Sequence, residues 1–210
     1  MTTRLYLVRH AETDSNAEGR SQGRRDVPLN ERGRAQTAVL AEAFRDRPLV
    51  AVYASDAGRA QETARAIAAP HGLEVQVDVR LREMDQGVLD GLTGAEMREQ
   101  YGAFLQRWRE EDPSDLRMPE GETLREVRDR MVAAIEDMAA AHPEAVVLAV
   151  SHNLASKALL SHALGIPLAS ARRIHVDLAS YAEIEVRADE PWTVNRLNER
   201  CHLPGDAAAG

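Results

Sequence analysis

Three short runs constrain this chain more than anything else in it: residues 4–8 (RLYLV), 49–54 (LVAVYA) and 145–150 (AVVLAV). Each is almost continuously apolar, the pattern of a strand buried on both faces of a mostly parallel sheet. Residues 73–77 read as a fourth strand, and residues 180–186 and 192–197 alternate enough to be late, antiparallel edge strands. Helical periodicity fills the intervals, at residues 31–45, 60–69, 94–111, 123–141 and 154–164. The fourth of these opens on a capping box, Thr123-x-x-Glu126, and places Leu124, Val127, Met131, Ala134, Ile135 and Met138 on one face. Strand–helix alternation predicts an α/β fold, a three-layer sandwich with a mostly parallel central sheet flanked by helices. Such sheets bind ligands beyond the carboxyl ends of their strands.

The residues at those ends carry the chemical signal. After Val8 comes Arg9-His10, after Ala54 comes Ser55-Asp56-Ala57-Gly58-Arg59, and after Val150 comes Ser151-His152-Asn153. Each buried strand therefore delivers an arginine or a histidine at or just past its carboxyl end. The chain as a whole is acidic, with a net charge of −8, so a converging cationic group is a local feature. Two guanidinium groups and two imidazoles suit a phosphoryl group: the forks bind its equatorial oxygens, and a neutral imidazole can attack phosphorus.

Composition excludes several alternatives. The acidic balance argues against nucleic acid or an anionic membrane as the main partner. No apolar run exceeds six residues, and the opening MTTRLYLVRH turns charged too early for a signal peptide, so a cytoplasmic protein is the expectation. The single cysteine, Cys201, excludes an intramolecular disulfide and is expected to be a small buried side chain. Lys157 is the only lysine among 26 basic residues, so there is no phosphate-loop lysine motif. At 210 residues one domain is expected, residues 1–203, with a frayed tail at 204–210.

Several segments, taken in order, resemble the histidine phosphatase superfamily, also called phosphoglycerate-mutase-like. They are LVRHAETDSNAEGRSQGRRDVPLNERGRAQ, then Ser55-Asp56 with Arg59-Ala60-x-x-Thr63-Ala64, then Leu81-Arg82-Glu83 with Gly87…Asp90-Gly91-Leu92. Pro119-Glu120-Gly121-Glu122-Thr123, Val150-Ser151-His152 and the closing Leu197–Leu203 stretch follow. The resemblance covers residues 4–203 and implies a phosphoglycerate-mutase-like fold and a phosphohistidine mechanism. Carried over by position, His10 is the expected nucleophile and Glu83 the expected proton donor, held in a partly dry site. Arg9, Arg59, His152 and Asn16 are the expected phosphate ligands, and Gln22 and Gly23 the expected substrate-side loop. Two positions depart from the family pattern, Ala11 and Asn153, where glycine is usual. The methyl group of Ala11 is expected to crowd the phosphate cradle, and it disfavours positive φ there.

The resemblance favours the bacterial phosphatase branch. It implies a phosphomonoesterase acting on a small phosphorylated metabolite, with no cofactor and no metal, since Arg9 and Arg59 would repel a cation beside His10. A mutase and a phospho-ligand-binding pseudoenzyme are the alternatives. Residues 94–118 are expected to form a helical cap in which Arg107, Trp108 and Met118 contact the leaving group. Arg20, Arg24, Arg25, Arg80 and Arg82 read either as solvated surface or as a second anion site. His175 and His202 are candidates for the pocket rim, and a homodimer is the expected assembly.

Overall fold

The computed structural model describes residues 1–188 and 190–203. The tail expected to fray, at 204–210, lies outside the described residues. Six strands form one sheet: β1 (Thr2–Arg9), β2 (Leu49–Ala54), β3 (Val75–Val77), β4 (Val146–Ser151), β5 (Tyr181–Arg187) and β6 (Thr193–Glu199). Their order is β3-β2-β4-β1-β5-β6. The pairs β3·β2, β2·β4 and β4·β1 are parallel, whereas β5 runs antiparallel to both β1 and β6.

Strand periodicity builds two cores from one sheet. Successive side chains point to opposite faces, so Leu5 and Leu7 of β1 enter one cluster and Tyr6 and Val8 the other. The same alternation splits Val147 and Ala149 from Leu148 and Val150 on β4. The helices α5 (Leu124–Ala141) and α6 (Asn153–Ala163) cover the first face. The second face is covered by α2 (Glu31–Phe44) and α3 (Gly58–Ala68). All six apolar positions expected on α5 are buried, and Thr123 closes the expected capping box with Glu126. The result is the α/β sandwich of the sequence reading.

Two features differ from expectation. β5 is an interior strand, with β6 outside it. Its Glu183 is buried and meets Arg4 at 3.4 Å and Arg196 at 3.3 Å, so a polar residue that suggests an edge is neutralised inside the sheet. The helix expected to cap the site, α4 (Gly94–Glu110), buries no residue fully and kinks at Tyr101 (φ −129°, ψ 28°). Met97, Tyr101, Phe104 and Trp108 lean from it against the first core. Among the described residues no helix is long and apolar enough to cross a membrane.

Candidate active site

Register explains why the strand-end residues converge. Arg9 of β1 lies opposite Ser151 of β4, and Ala54 of β2 lies opposite Val150. The backbone continues the ladder past the strands: His10 N–H donates to Ser151 O and Ser55 N–H to Val150 O, each at 3.0 Å. Three chain segments distant in sequence therefore leave the sheet side by side. The short helix α1 (Asp14–Ala17) follows the first of them.

His10 and His152 are both buried, with ring centroids 5.0 Å apart. Their hydrogen bonds fix different tautomers. His10 Nδ1 lies 2.7 Å from Ala11 O, which can only accept, so Nδ1 carries the proton and Nε2 presents a lone pair. His152 Nδ1 lies 3.2 Å from Arg59 Nη2, which can only donate, so here Nδ1 accepts and Nε2 carries the proton. That His152 Nε2 is buried without a partner. Burial, then the Arg59 charge, hold both imidazoles well below their ordinary pKa; Arg9 adds to the effect at His10, and His10 itself at His152. Both rings are thus neutral at pH 7.

Arg9 and Arg59 meet backbone carbonyls. Arg9 Nη1 donates to Val176 O at 2.7 Å. Arg59, 1% exposed in the first turn of α3, donates from Nη1 to Arg25 O at 2.7 Å and from Nη2 to Gly23 O at 3.1 Å. Each keeps its Nε buried and unpartnered. Burial lowers both guanidinium pKa values, opposed chiefly by Glu83, but an arginine stays charged in such a site. Glu83 itself is buried and faces the first turn of α6. Its Oε1 accepts from Met84 N–H (2.8 Å) and Ala155 N–H (3.0 Å), and its Oε2 from Leu154 N–H (3.1 Å). Both Oε1 lone pairs are taken, which leaves a free one on Oε2.

Asn16 and Gln22 are oriented through Thr13. Asn16 Oδ1 accepts from Thr13 N–H at 3.1 Å, closing a capping box that leaves its amide NH₂ as the available group. Gln22 Oε1 accepts from the Thr13 hydroxyl at 2.8 Å, and its Nε2 is buried without a partner. Two cavities meet at Glu83. One, of about 260 Å³, is lined by Arg9, His10, Asn16 and Gln22; the other, of about 290 Å³, by Gly23, Arg59 and His152. All eight residues singled out in the sequence therefore line one bipartite site.

The motif order and this geometry agree with comparison to known proteins. Residues 5–200 match the model of the histidine phosphatase superfamily (branch 1). The chain belongs to the histidine phosphatase superfamily. It is 38% identical, over 97% of its length and 96% of the relative's, to the probable phosphoglycerate mutase GpmB of Enterobacter sp. (strain 638). Among solved structures it resembles YhfR of Bacillus stearothermophilus, with a TM-score of 0.88 and 31% identity over 95% of this chain and 98% of that one. It also resembles a mycobacterial glucosyl-3-phosphoglycerate phosphatase solved with VO3, with a TM-score of 0.84 and 30% identity over 94% and 99% of the two chains. Phosphoryl transfer is the chemistry common to the mutase and the phosphatase among these names.

Several residues that shape this site are not legible as such in the sequence. Asp90 accepts the backbone N–H groups of Gly23, Arg24 and Arg25 at 2.9–3.0 Å, and so shapes the loop whose carbonyls hold Arg59. Arg130 of α5 donates to the carbonyls of Arg80 (2.6 Å), Arg82 (2.7 Å) and Glu83 (3.1 Å) and pairs with Glu122 at 3.0 Å, which braces the segment carrying Glu83. Gly33 packs on the first motif, where a Cβ would collide with Glu12 O. Gly87 takes φ +52° against the Pro119–Gly121 stretch, where a Cβ would collide with Pro119 O.

Other expectations are corrected. Ala11 is fully buried with ordinary φ, and its N–H donates to Thr63 Oγ1 at 3.2 Å, so no left-handed backbone is needed there. Asn153 is the first residue of α6 and likewise has ordinary φ. From the cap, Met97 lines the cavity. Met118 is instead buried in the first core, Arg107 pairs with Glu111 on the surface, and Trp108 lines a separate groove along α4. His175 is exposed and pairs with Asp177 at 2.7 Å, and His202 bonds Ala179 O at 2.9 Å, so neither lines the cavities. Cys201 is exposed, in the turn that follows β6.

Proposed function

We propose that this protein is a phosphomonoesterase that hydrolyses a small phosphorylated metabolite through a phosphohistidine on His10. The observation that carries the reading is the group of buried, unpartnered N–H donors, Arg9 Nε, Arg59 Nε and His152 Nε2, gathered near a neutral imidazole. Buried donors without partners cost free energy, and a dianionic phosphoryl group satisfies them together.

The steps follow from these groups. The Nε2 lone pair of His10 attacks phosphorus as the ester P–O bond breaks, forming an N–P bond. Glu83 gives its proton to the departing alcohol oxygen. The Nδ1–H bond to Ala11 O stabilises the positive charge that the ring acquires. Water then attacks phosphorus, Glu83 takes its proton, the N–P bond breaks, and inorganic phosphate leaves. Arg9, Arg59, His152 and Asn16 hold the equatorial oxygens, while Gln22 and Gly23 line the alcohol side. The reading needs no metal or cofactor, since Arg9 and Arg59 already supply the positive charge. The solved neighbour named as a phosphatase supports hydrolysis, whereas the curated relatives named as mutases support return of the phosphoryl group to a rebound product.

The test is hydrolysis of p-nitrophenyl phosphate in excess chelator by wild type and His10→Ala. The expected result is turnover that falls by about 10⁴-fold or more in the variant, with an acid-labile phosphoenzyme trapped only in the wild type. Turnover that survives in His10→Ala overturns the assignment. With 3-phosphoglycerate, release of phosphate supports the hydrolase, and appearance of the 2-isomer supports the mutase.

A further inference from the structure

We propose that the alcohol half of the substrate is an uncharged, hydroxyl-bearing group, a small polyol or sugar, read by Asn153 and Gln22. This rests on the phosphomonoesterase reading above and narrows its substrate class. The cavity beside His10 measures about 260 Å³ and meets the adjoining one of about 290 Å³ at Glu83, so the two together fall within the roughly 300–1,000 Å³ of small-molecule sites.

Charge then limits what the alcohol carries. Outside Arg9, the cation lining this cavity is Arg20, which already pairs with Glu18 at 2.9 Å and Glu96 at 3.2 Å. In the adjoining cavity Arg82 Nε donates to Asp56 at 2.7 Å, and Arg24 meets Glu122 at 3.3 Å. Lys157, one turn along α6 from Asn153, lies in the field of Arg9 as well as those of Glu83 and Asp177. At Arg20, Arg24 and Arg82 a substrate carboxylate or second phosphate would have to displace one of these carboxylates, so these arginines build no second anion site, although the sequence is rich enough in arginine to suggest one.

Hydrogen-bond polarity points the same way. Asn153 lines the cavity, and its Oδ1 is a buried acceptor without a partner. Gln22, 8% exposed, offers the opposite group, a buried Nε2–H donor without a partner. A hydroxyl donates to the one and accepts from the other. A carboxylate has no proton for Asn153 Oδ1, and an ammonium would sit beside Arg9 and Arg20. Met97 and Leu154 supply the apolar surface against which the C–H face of a polyol packs.

The test uses two esters that share a skeleton, glycerol 3-phosphate and 3-phosphoglycerate, which differ by CH₂OH against carboxylate. Calorimetry on His10→Ala reads affinity without turnover, and kcat/KM on wild type provides a second, independent measure. Glycerol 3-phosphate is expected to bind at least tenfold more tightly and to show the higher kcat/KM. Asn153→Leu is expected to weaken glycerol 3-phosphate three- to tenfold and to bring the ratio of the two ligands toward one. Equal or tighter binding of 3-phosphoglycerate, or binding of neither ester, overturns the substrate class. The expected preference in His10→Ala with no hydrolysis by wild type leaves the ligand class standing and overturns the phosphomonoesterase instead.

Discussion

Arg59 and Arg82 line the same cavity and are in opposite chemical states. Arg59 is 1% exposed, is held by two carbonyls and an imidazole nitrogen, and retains an unpartnered Nε. Arg82 is partly open to solvent and directs both prongs of its fork onto Asp56. Burying a cation without a carboxylate is costly, and folds avoid it unless something else requires it. A cation already paired at the surface contributes little field to a ligand. Positive charge near a site is therefore a poor guide to function, whereas a desolvated guanidinium held by neutral acceptors is a good one. The same contrast sets Arg9, on Val176 O, apart from Arg20, on Glu18 and Glu96.

The largest effect that can break this comparison is Arg59→Met, which removes the buried charge at similar length. An arginine clamp is worth on the order of 10³-fold or more in phosphoryl transfer, and kcat/KM for an aryl phosphate is expected to fall by about that factor. Arg59→Lys should recover little of it, because an ammonium cannot reach Gly23 O, Arg25 O and the ligand together. A loss under tenfold in steady-state assays would mean that the orphaned Nε is not aimed at the phosphoryl group.

A second, smaller effect follows from how Arg59 is held. Asp90→Ala removes one carboxylate and strands three backbone N–H groups in the loop whose carbonyls anchor Arg59. Displacement of a clamp by an ångström can cost about 10²-fold, so a loss of one to two orders in kcat/KM is expected, mostly in kcat. Thermal unfolding should show about 1–3 kcal/mol of destabilisation. Full activity in a destabilised Asp90→Ala protein would show that Arg59 finds its place without the loop.

How far this was legible in sequence divides along the same line. His10, Arg59 and His152 could be read because each follows a buried strand within a few residues, and parallel register carries that spacing directly into space. Helix limits fell within a residue or two of expectation because periodicity is local. Asp90 and Arg130 act on backbone groups 65 to 67 and 47 to 50 positions away, a relation that no local pattern encodes. The pairing of Arg82 with Asp56, 26 positions apart, is hidden for the same reason, and with it the difference between a clamp and a surface arginine. β5 reads as an edge in sequence because Glu183 finds its partners, Arg4 and Arg196, only across the finished sheet.

The pH dependence sharpens the comparison with a shift of several-fold in rate. His10 attacks as the neutral ring, and burial together with Arg59 and Arg9 lowers its pKa well below the ordinary value of about 6.5. The acid limb of kcat/KM, which reports the free enzyme, is therefore expected below pH 6.5, and activity at pH 6 should match that at pH 7. Removing Arg59 should move the limb upward, and removing Arg82 should leave it in place. Stability carries the same sign. The unfolded chain binds protons at His10 and His152 before the folded chain does, so stability present above about pH 6.5 is lost as the pH falls toward the folded values. Thermal melts from pH 7 to pH 5 test this, and the slope should flatten in His152→Gln.

The smallest expected effect belongs to Arg82→Met, and its smallness is what the contrast requires. The Arg82 fork is neutralised by Asp56 and half open to water, so the pair adds at most about 1 kcal/mol to stability. Its removal takes no donor from the phosphoryl group, and it leaves Asp56 solvated at the rim rather than buried. The kcat/KM for an aryl phosphate is expected to change by less than about threefold, equivalent to under about 0.7 kcal/mol. The backbone of residue 82 still bonds Arg130 through its carbonyl, so the segment carrying Glu83 keeps its brace whatever the side chain. A large loss in Arg82→Met would place this arginine on the substrate, and the division between buried clamp and paired rim would have to be redrawn with Asp56 as a gate that releases it.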